Sequence, residues 1–399
     1  MINGAPYGPD QDDVRYELGA RRASEAGCTL AYLNMVGGQD ELVFDGDSLV
    51  VNVAGEILAR GPQFDEDLLV VDLDLDASTV NTAHPSGCGV LHVTVSDTPV
   101  APYAAVQAGI AARLDPVGEV YRALQLGLRD YVRKNGFHSV LLGVSGGIDS
   151  TLVATIAADA LGGENVVAVS NPSKYSSQGS KDDAAELARN LGLDYRVIPI
   201  EPMVSAFLDN VKLTGVAEEN LQARVRALVW MGLSNQEGHL VLVNSNKSEV
   251  SVGYSTIYGD SVGGYAPIKD VHKTLVWELA RWRNAEAERR GEKPPIPLAS
   301  ISKAPSAELR PGQVDQDSLP PYDLLDAILD RYVEGALGRA ELIDAGFDPA
   351  AVDKVIGLVD RAEWKRRQFA PGPKISSLAF GRDRRLPITS RWREQNPQS

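Results

Sequence analysis

Along the chain the apolar residues keep two different rhythms. In the first, short apolar runs at residues 30–36, 42–44, 49–53 and 68–73 are separated by turn formers such as Asp45-Gly46-Asp47, the pattern of small strands. A helix over residues 12–27, stopped at Gly27, precedes them. From residue 69 to 76 apolar and acidic positions alternate, which predicts a strand with one wet face and then a solvated exit. Residues 76–102, rich in Pro, Ser, Thr and Gly, read as a linker.

The second rhythm opens with Val117, Val120, Tyr121, Leu124, Leu128 and Tyr131 on one helical face, ending at Asn135-Gly136. Unalternating apolar runs then recur at 139–144, 166–170, 195–200 and 240–244, interleaved with helices such as 151–161 and 181–191. Continuous apolar strands alternating with helices imply an α/β fold with a doubly wound parallel sheet, covered on both faces. Beyond Pro320 the pattern is mostly helical, and no internal repeat is present.

A length of 399 residues exceeds one ordinary core, so two domains are expected. The net charge of -15 argues against a nucleic-acid partner. It is also uneven: residues 1–100 hold 17 Asp and Glu against 4 Lys and Arg, which marks two regions of different character. No run of eighteen apolar residues and no apolar signal core occurs, so a cytoplasmic chain with no membrane partner is expected. Two cysteines, Cys28 and Cys88, make no disulfide framework and have no zinc spacing with the five histidines.

The chemistry concentrates where the first apolar strand of the second region meets its helix, at Ser145-Gly146-Gly147-Ile148-Asp149-Ser150. Two glycines let backbone N–H groups approach an anion, two hydroxyls add donors and the helix N-terminus adds its dipole, so the loop is suited to a pyrophosphate. It lacks the Gly-Lys-Ser/Thr ending of a Walker loop and the G-x-G-x-x-G of a dinucleotide fold. It resembles instead the S-G-G-x-D-S loop of the ATP pyrophosphatase (PP-loop) superfamily. Asp149 beside phosphates calls for a bridging Mg²⁺, and Glu249, following the 240–244 strand, is a second carboxylate for that ion.

Four further segments narrow the resemblance to NAD synthetases: Glu219-Asn220-Leu221-Gln222-Ala223-Arg224, Asn246-Lys247-Ser248-Glu249, residues 264–273 and residues 363–368. The resemblance covers residues 117–393. It implies a Rossmann-like PP-loop domain over 112–399, a linker at 99–111, and ATP and Mg²⁺ as cofactors. It places ATP on Gly143, Val144, Ser145, Gly146, Gly147, Ile148, Asp149, Ser150, Asn244, Lys273 and Ser306. It places deamido-NAD on Asn220, Arg224, Glu249, Asp260 and Lys365, and the metal on Asp149 and Glu249. Asn244 replaces the threonine of many relatives, and Ile257 stands where ammonia-dependent relatives carry a lysine. A homo-oligomer through the synthetase domain is implied as well. The implied reaction is ATP-dependent amidation of deamido-NAD through an acyl-adenylate, with AMP and pyrophosphate released and no covalent enzyme nucleophile.

Residues 1–98 resemble the closing part of a nitrilase-like (carbon-nitrogen hydrolase) glutaminase domain, through residues 3–7 and 33–46. In that family the nucleophilic cysteine, the lysine and the glutamate precede the segment equivalent to Asn3, which implies a shortened domain, lost glutamine hydrolysis and ammonia as the nitrogen donor. Cys28 reads as a small buried hydrophobe and Cys88 as a loop or strand-end thiol. Two rival readings are an RNA sulfur-transferase, which would want a basic face and cysteines near the loop, and a non-catalytic assembly fragment.

Overall fold

The first rhythm gives rise to β1 (Ile2–Asn3), α1 (Gln11–Ala26), β2 (Leu30–Asn34), β3 (Val36–Gln39), β4 (Leu42–Asp45), β5 (Leu49–Val51) and β6 (Ile57–Arg60) in a computed structural model of the chain. The structure describes residues 1–9, 11–73, 93, 96–99, 101–106 and 108–390. Most of the expected linker over 76–102, with Cys88, lies outside the described residues. Two compact units are present: the first holds residues 1–3, 12–33 and 46–113, the second 4–11, 34–45 and 114–399.

In the first unit the sheet runs β1-β2-β5-β6, with β5 antiparallel to both neighbours. Tyr32, Leu49 and Val51 bury one face against Tyr16 and Ala20 of α1. Arg60 closes the turn before β5 with a double hydrogen bond to Asp47, at 2.6 and 2.7 Å, both side chains buried.

Three expectations for the first region are corrected. The run at 30–36 breaks at Met35, because β3 pairs with β4 and not with the sheet of β2. Residues 68–73 form no strand: Leu68 and Val70 are exposed, and the Asp72 carboxylate accepts from the Val106 N–H at 2.6 Å and the Tyr103 hydroxyl at 3.1 Å. Alternation without a partner strand leaves the backbone to bond elsewhere. Cys28 is exposed, not buried, since its N–H turns back to Ala23 O to close the end of α1 and the side chain points outward.

In the second unit α2 (Pro116–Lys134) is capped by Asp115, whose carboxylate accepts the Gly118 N–H at 2.9 Å. The β3–β4 hairpin is anchored on it, the Gly38 N–H reaching Asp130 at 2.7 Å and Lys134 reaching Gly38 O at 2.5 Å. The α/β layer follows: β7 (Val140–Gly143), α3 (Ile148–Leu161), β8 (Val166–Ser170), α4 (Gln178–Leu191), β9 (Asp194–Val197), α5 (Glu201–Asn210), α6 (Val216–Glu237) and β10 (Leu240–Val241). All four strands are parallel in the order β10-β7-β8-β9. The predicted run at 240–244 continues past β10 by pairing with residues 264–265, with Leu242 bridged to Tyr265. The winding reverses at β7, so the loops leaving β7 and β10 diverge from a topological switch point, the place where open α/β sheets take ligands.

The remaining helices are α7 (Lys247–Val252), α8 (Lys273–Arg289), α9 (Leu298–Ser302), α10 (Tyr322–Leu329), α11 (Arg339–Asp344), α12 (Pro349–Arg361) and α13 (Glu363–Arg366). Leu325, Ile328 and Leu329 of α10 and Val352, Val355 and Val359 of α12 make a helical core of their own. Between α10 and α11, residues 330–334 form a π turn. No helix among the described residues is long and apolar enough to cross a membrane.

Candidate active site

At the switch point β7 ends on Gly143, against which the Trp230 ring of α6 lies flat enough that a Cβ would sit 2.2 Å from it. The Trp230 indole N–H donates to Asn171 at 2.6 Å, just past β8. Gly146 adopts φ +77°, and a Cβ there would meet Ser180 O at 2.3 Å, so this loop position admits only glycine. Ser145 and Ser150 hold the loop shut: the Ser145 N–H donates to Ser150 Oγ at 3.2 Å and Ser150 Oγ donates to Gly147 O at 3.1 Å. Helix α3 begins at Ile148, three residues earlier than the pattern suggested, with no side-chain cap on its N-terminus. Its first-turn N–H groups therefore face the cavity uncovered, an arrangement that favours an anion.

Asn246 ties the two diverging loops together. Its amide donates to Asp149 Oδ1 at 2.8 Å, while its carbonyl accepts the Glu249 N–H at 3.0 Å and completes a capping box at the start of α7. Lys273, at the start of α8, is buried and donates to Asp149 Oδ2, with Glu249 Oε1 at 3.8 Å. Burial pushes the Glu249 carboxyl well up, and the neighbouring Asp149 carboxylate adds to it. Burial also works against the Lys273 ammonium, but Asp149 and Glu249 more than offset this and hold its pKa above the ordinary lysine value. Asp315, which accepts from Tyr322 Oη at 2.8 Å, is likewise raised by burial.

Two partly buried carboxylates, one buried ammonium and a nearby third acid leave the cluster short of positive charge. An all-oxygen donor pair of this kind fits a hard divalent ion that completes its shell with phosphates and water, so Asp149 and Glu249 fit Mg²⁺. Among the described residues no group of three or more His, Cys, Asp or Glu side chains is placed to hold a metal by itself.

A cavity of 970 Å³ opens from this cluster, and every residue assigned above to ATP, deamido-NAD or metal lines it except Gly146. On its far side Asn220 accepts from Thr256 Oγ1 at 2.7 Å, Asp260 accepts the Thr256 N–H at 2.7 Å, and exposed Arg224 donates to Ile257 O at 3.2 Å. Lys365 donates to Gly253 O and Ser255 O, both at 2.7 Å; burial lowers its pKa, partly countered by Asp260. Asn244 donates to Gly143 O at 2.8 Å, and Ser306 donates to Gln313 O at 2.6 Å.

With this geometry established, comparison with known proteins is decisive. Residues 120–369 match the family model described as NAD synthase, and residues 8–80 that of carbon-nitrogen hydrolases. A glutamine-dependent NAD(+) synthetase of Rhodobacter capsulatus is 48% identical over 404 residues, spanning 99% of this chain and 69% of that protein. The chain belongs to the glutamine-dependent NAD(+) synthetase family. The structure of such a synthetase from Acinetobacter baumannii, in complex with ADP, is similar with a TM-score of 0.65 and 41% identity over 99% of this chain and 68% of that one. An NMN synthetase from Francisella tularensis matches 63% of this chain and 96% of its own length, with a TM-score of 0.53 and 26% identity. The family is one of carbon–nitrogen ligases, and the first region carries its nitrilase-like segment.

Asn246, which holds Asp149, and Asp315 and Glu308, which line the cavity, went unrecognised in the sequence. Asn246, in the quoted Asn-Lys-Ser-Glu segment, was open to the capping-box reading, which needs only a side-chain acceptor three residues before an acid. Asp315 lies in an irregular stretch with no periodic signal. Glu308 accepts from Ser177 N–H at 3.2 Å, Ser177 Oγ at 2.9 Å and Ser180 Oγ at 2.7 Å, which fastens the 303–318 loop to the start of α4 across 128 or more residues of sequence.

Proposed function

We propose that this chain joins ammonia to the nicotinate carboxylate of deamido-NAD at the expense of ATP, with residues 112–399 as the synthetase domain. The observation that carries the reading is the Asp149–Lys273–Glu249 cluster at the mouth of the Ser145–Ser150 loop, inside one cavity with Asn220, Arg224 and Lys365. A carboxylate is a poor acyl donor, so its oxygen attacks the α-phosphorus of ATP and pyrophosphate leaves. Ammonia then attacks the acyl carbon and AMP leaves. Lys273 and the uncovered N–H groups of α3 stabilise charge that develops on the phosphates. Bound between Asp149 and Glu249, Mg²⁺ would neutralise phosphate charge as a Lewis acid. Asn246 keeps Asp149 and the start of α7 at a fixed separation, so the acceptors are in place before the nucleotide arrives.

Ammonia is the donor we assign to the chain as it stands, since exposed Cys28 sits in a turn of the first unit. The same reading includes a homo-oligomer through the synthetase domain, to be checked by sedimentation. The test is formation of NAD, AMP and pyrophosphate from deamido-NAD and MgATP with ammonium or with glutamine. Product with ammonium alone is expected, and product with glutamine would overturn the assignment of donor. Because the Francisella relative is an NMN synthetase, nicotinate mononucleotide is run beside the dinucleotide. A higher kcat/KM on the mononucleotide would overturn the choice of substrate.

A further inference from the structure

Directly behind Glu249 and Lys273 lies a buried ionic cluster that the adenylyl-transfer reading does not use. Lys247, with no exposed surface, donates to Glu334 and Ser376 at 2.7 Å each and pairs with Asp270 at 3.0 Å. The ring nitrogens of His272 lie at ion-pair distance from two carboxylates, 3.6 Å from Asp326 and 3.4 Å from Glu334, and neither makes a hydrogen bond. Asp326 accepts from Ser248 Oγ and, at 2.9 Å, from the Thr274 N–H, while Ser248 Oγ accepts the Lys273 N–H at 2.9 Å. One carboxylate therefore fixes the first turns of both α7 and α8, the helices that carry Glu249 and Lys273. Glu334 reaches the ring because it ends the π turn at 330–334, a widened turn of the kind that re-aims side chains.

We propose that Asp326, His272 and Glu334 are positioning residues for the adenylyl-transfer site, an acid–imidazolium–acid strut that sets Lys273 against Asp149 and Glu249 and yields when the imidazolium loses its proton. The inference rests on the function proposed above. With the ring charged, Asp326, Glu334 and Asp270 face two cations, His272 and Lys247; with the ring neutral, two buried carboxylates and the partly buried Glu334 share one. Asp323 and Asp330 line the small pocket beside the ring and add to the demand for a cation, while Lys247 opposes it. Burial works against the imidazolium, but the two carboxylates of Asp326 and Glu334 beside it outweigh this and lift the pKa above the ordinary histidine value of about 6.5. The group is raised, so the strut is fully present below the ordinary value and is lost as pH rises through the raised one. Turnover accordingly carries an alkaline limb that follows the titration of His272.

The experiment pairs two measurements on the full chain. ¹⁵N-histidine NMR follows the imidazole titration, assigned by replacing the other four histidines one at a time. Steady-state rates with deamido-NAD, MgATP and ammonium are taken across the same pH range for wild type, His272→Gln and Glu334→Gln. Expected are a His272 titration above the ordinary value that coincides with the alkaline limb, and loss of the limb in His272→Gln. That variant should also show a kcat about tenfold lower, as for other outer-shell supports, with KM for ammonium within twofold. Glu334→Gln should move both titration and limb to lower pH, which decides the matter if His272→Gln does not fold. An unchanged limb in either variant, or an imidazole titrating at or below the ordinary value, overturns the strut. Absence of turnover at every pH would overturn the functional reading, and the NMR titration alone then judges the strut.

Discussion

Lys273 is the residue on which the proposed chemistry leans hardest, because it is the buried cation between two partly buried carboxylates and the incoming phosphates. Replacing it by Gln should lower kcat about 100-fold or more, the usual cost of removing one preorganised electrostatic group, while circular dichroism stays native; a loss under fivefold would rule it out of adenylyl transfer. Gly146→Ala places a methyl group against Ser180 O, and KM for ATP should rise at least tenfold without loss of fold. Both positions were legible in the sequence, since the Ser145–Ser150 loop and the 264–273 segment are local patterns. Asp315 and Glu308 were not. Their roles come from what the 303–318 loop meets after folding, and no spacing within the loop encodes Ser177 or Tyr322.

At the level of elements, strand β8 was readable in full, while the run at 195–200, expected to be buried, became β9 with both ends exposed. β8 carries five apolar or small residues in a row, each buried, and its ends fell where the pattern put them. β6 went unseen because it ends in Arg60, an unlikely strand residue until Asp47 is brought beside it. Arg60→Met should therefore destabilise the first unit by about 3–5 kcal/mol, as expected when one partner of a buried pair is removed. Hydrogen exchange at β5 and β6 would show it, and protection unchanged there would contradict it. The 303–318 loop depends on its three hydroxyl and amide donors to Glu308 in the same way. Glu308→Ala should speed amide exchange across that loop and raise KM for ATP several-fold while leaving α3 protected.

For the whole molecule, the acid side of the stability curve belongs to the second unit. Burial would raise the Glu334 carboxyl, but His272 and Lys247 pull it down to about 2, and His272 likewise depresses Asp326. Groups with depressed pKa add stability that is present above the ordinary carboxylate range and lost as pH falls through the depressed values. Thermal melts should thus show Tm falling from about pH 4.5 downward, and Glu334→Gln should flatten part of that fall. An identical acid limb in the variant would exclude the pair.

The contact of Trp230 with Gly143 also makes the molecule optically self-reporting. Its indole is buried in the wall of the 970 Å³ cavity, one hydrogen bond from the end of β8 and pressed on Gly143, two residues before the Ser145–Ser150 loop. Any molecule that settles on that loop changes the dipoles around an excited indole, so binding is readable as a shift in intrinsic emission with no label and no turnover. Trp230→Phe removes that component, and the difference from wild type separates it from the other four tryptophans, of which Trp364 lines the same cavity and Trp277 lies beside Lys273.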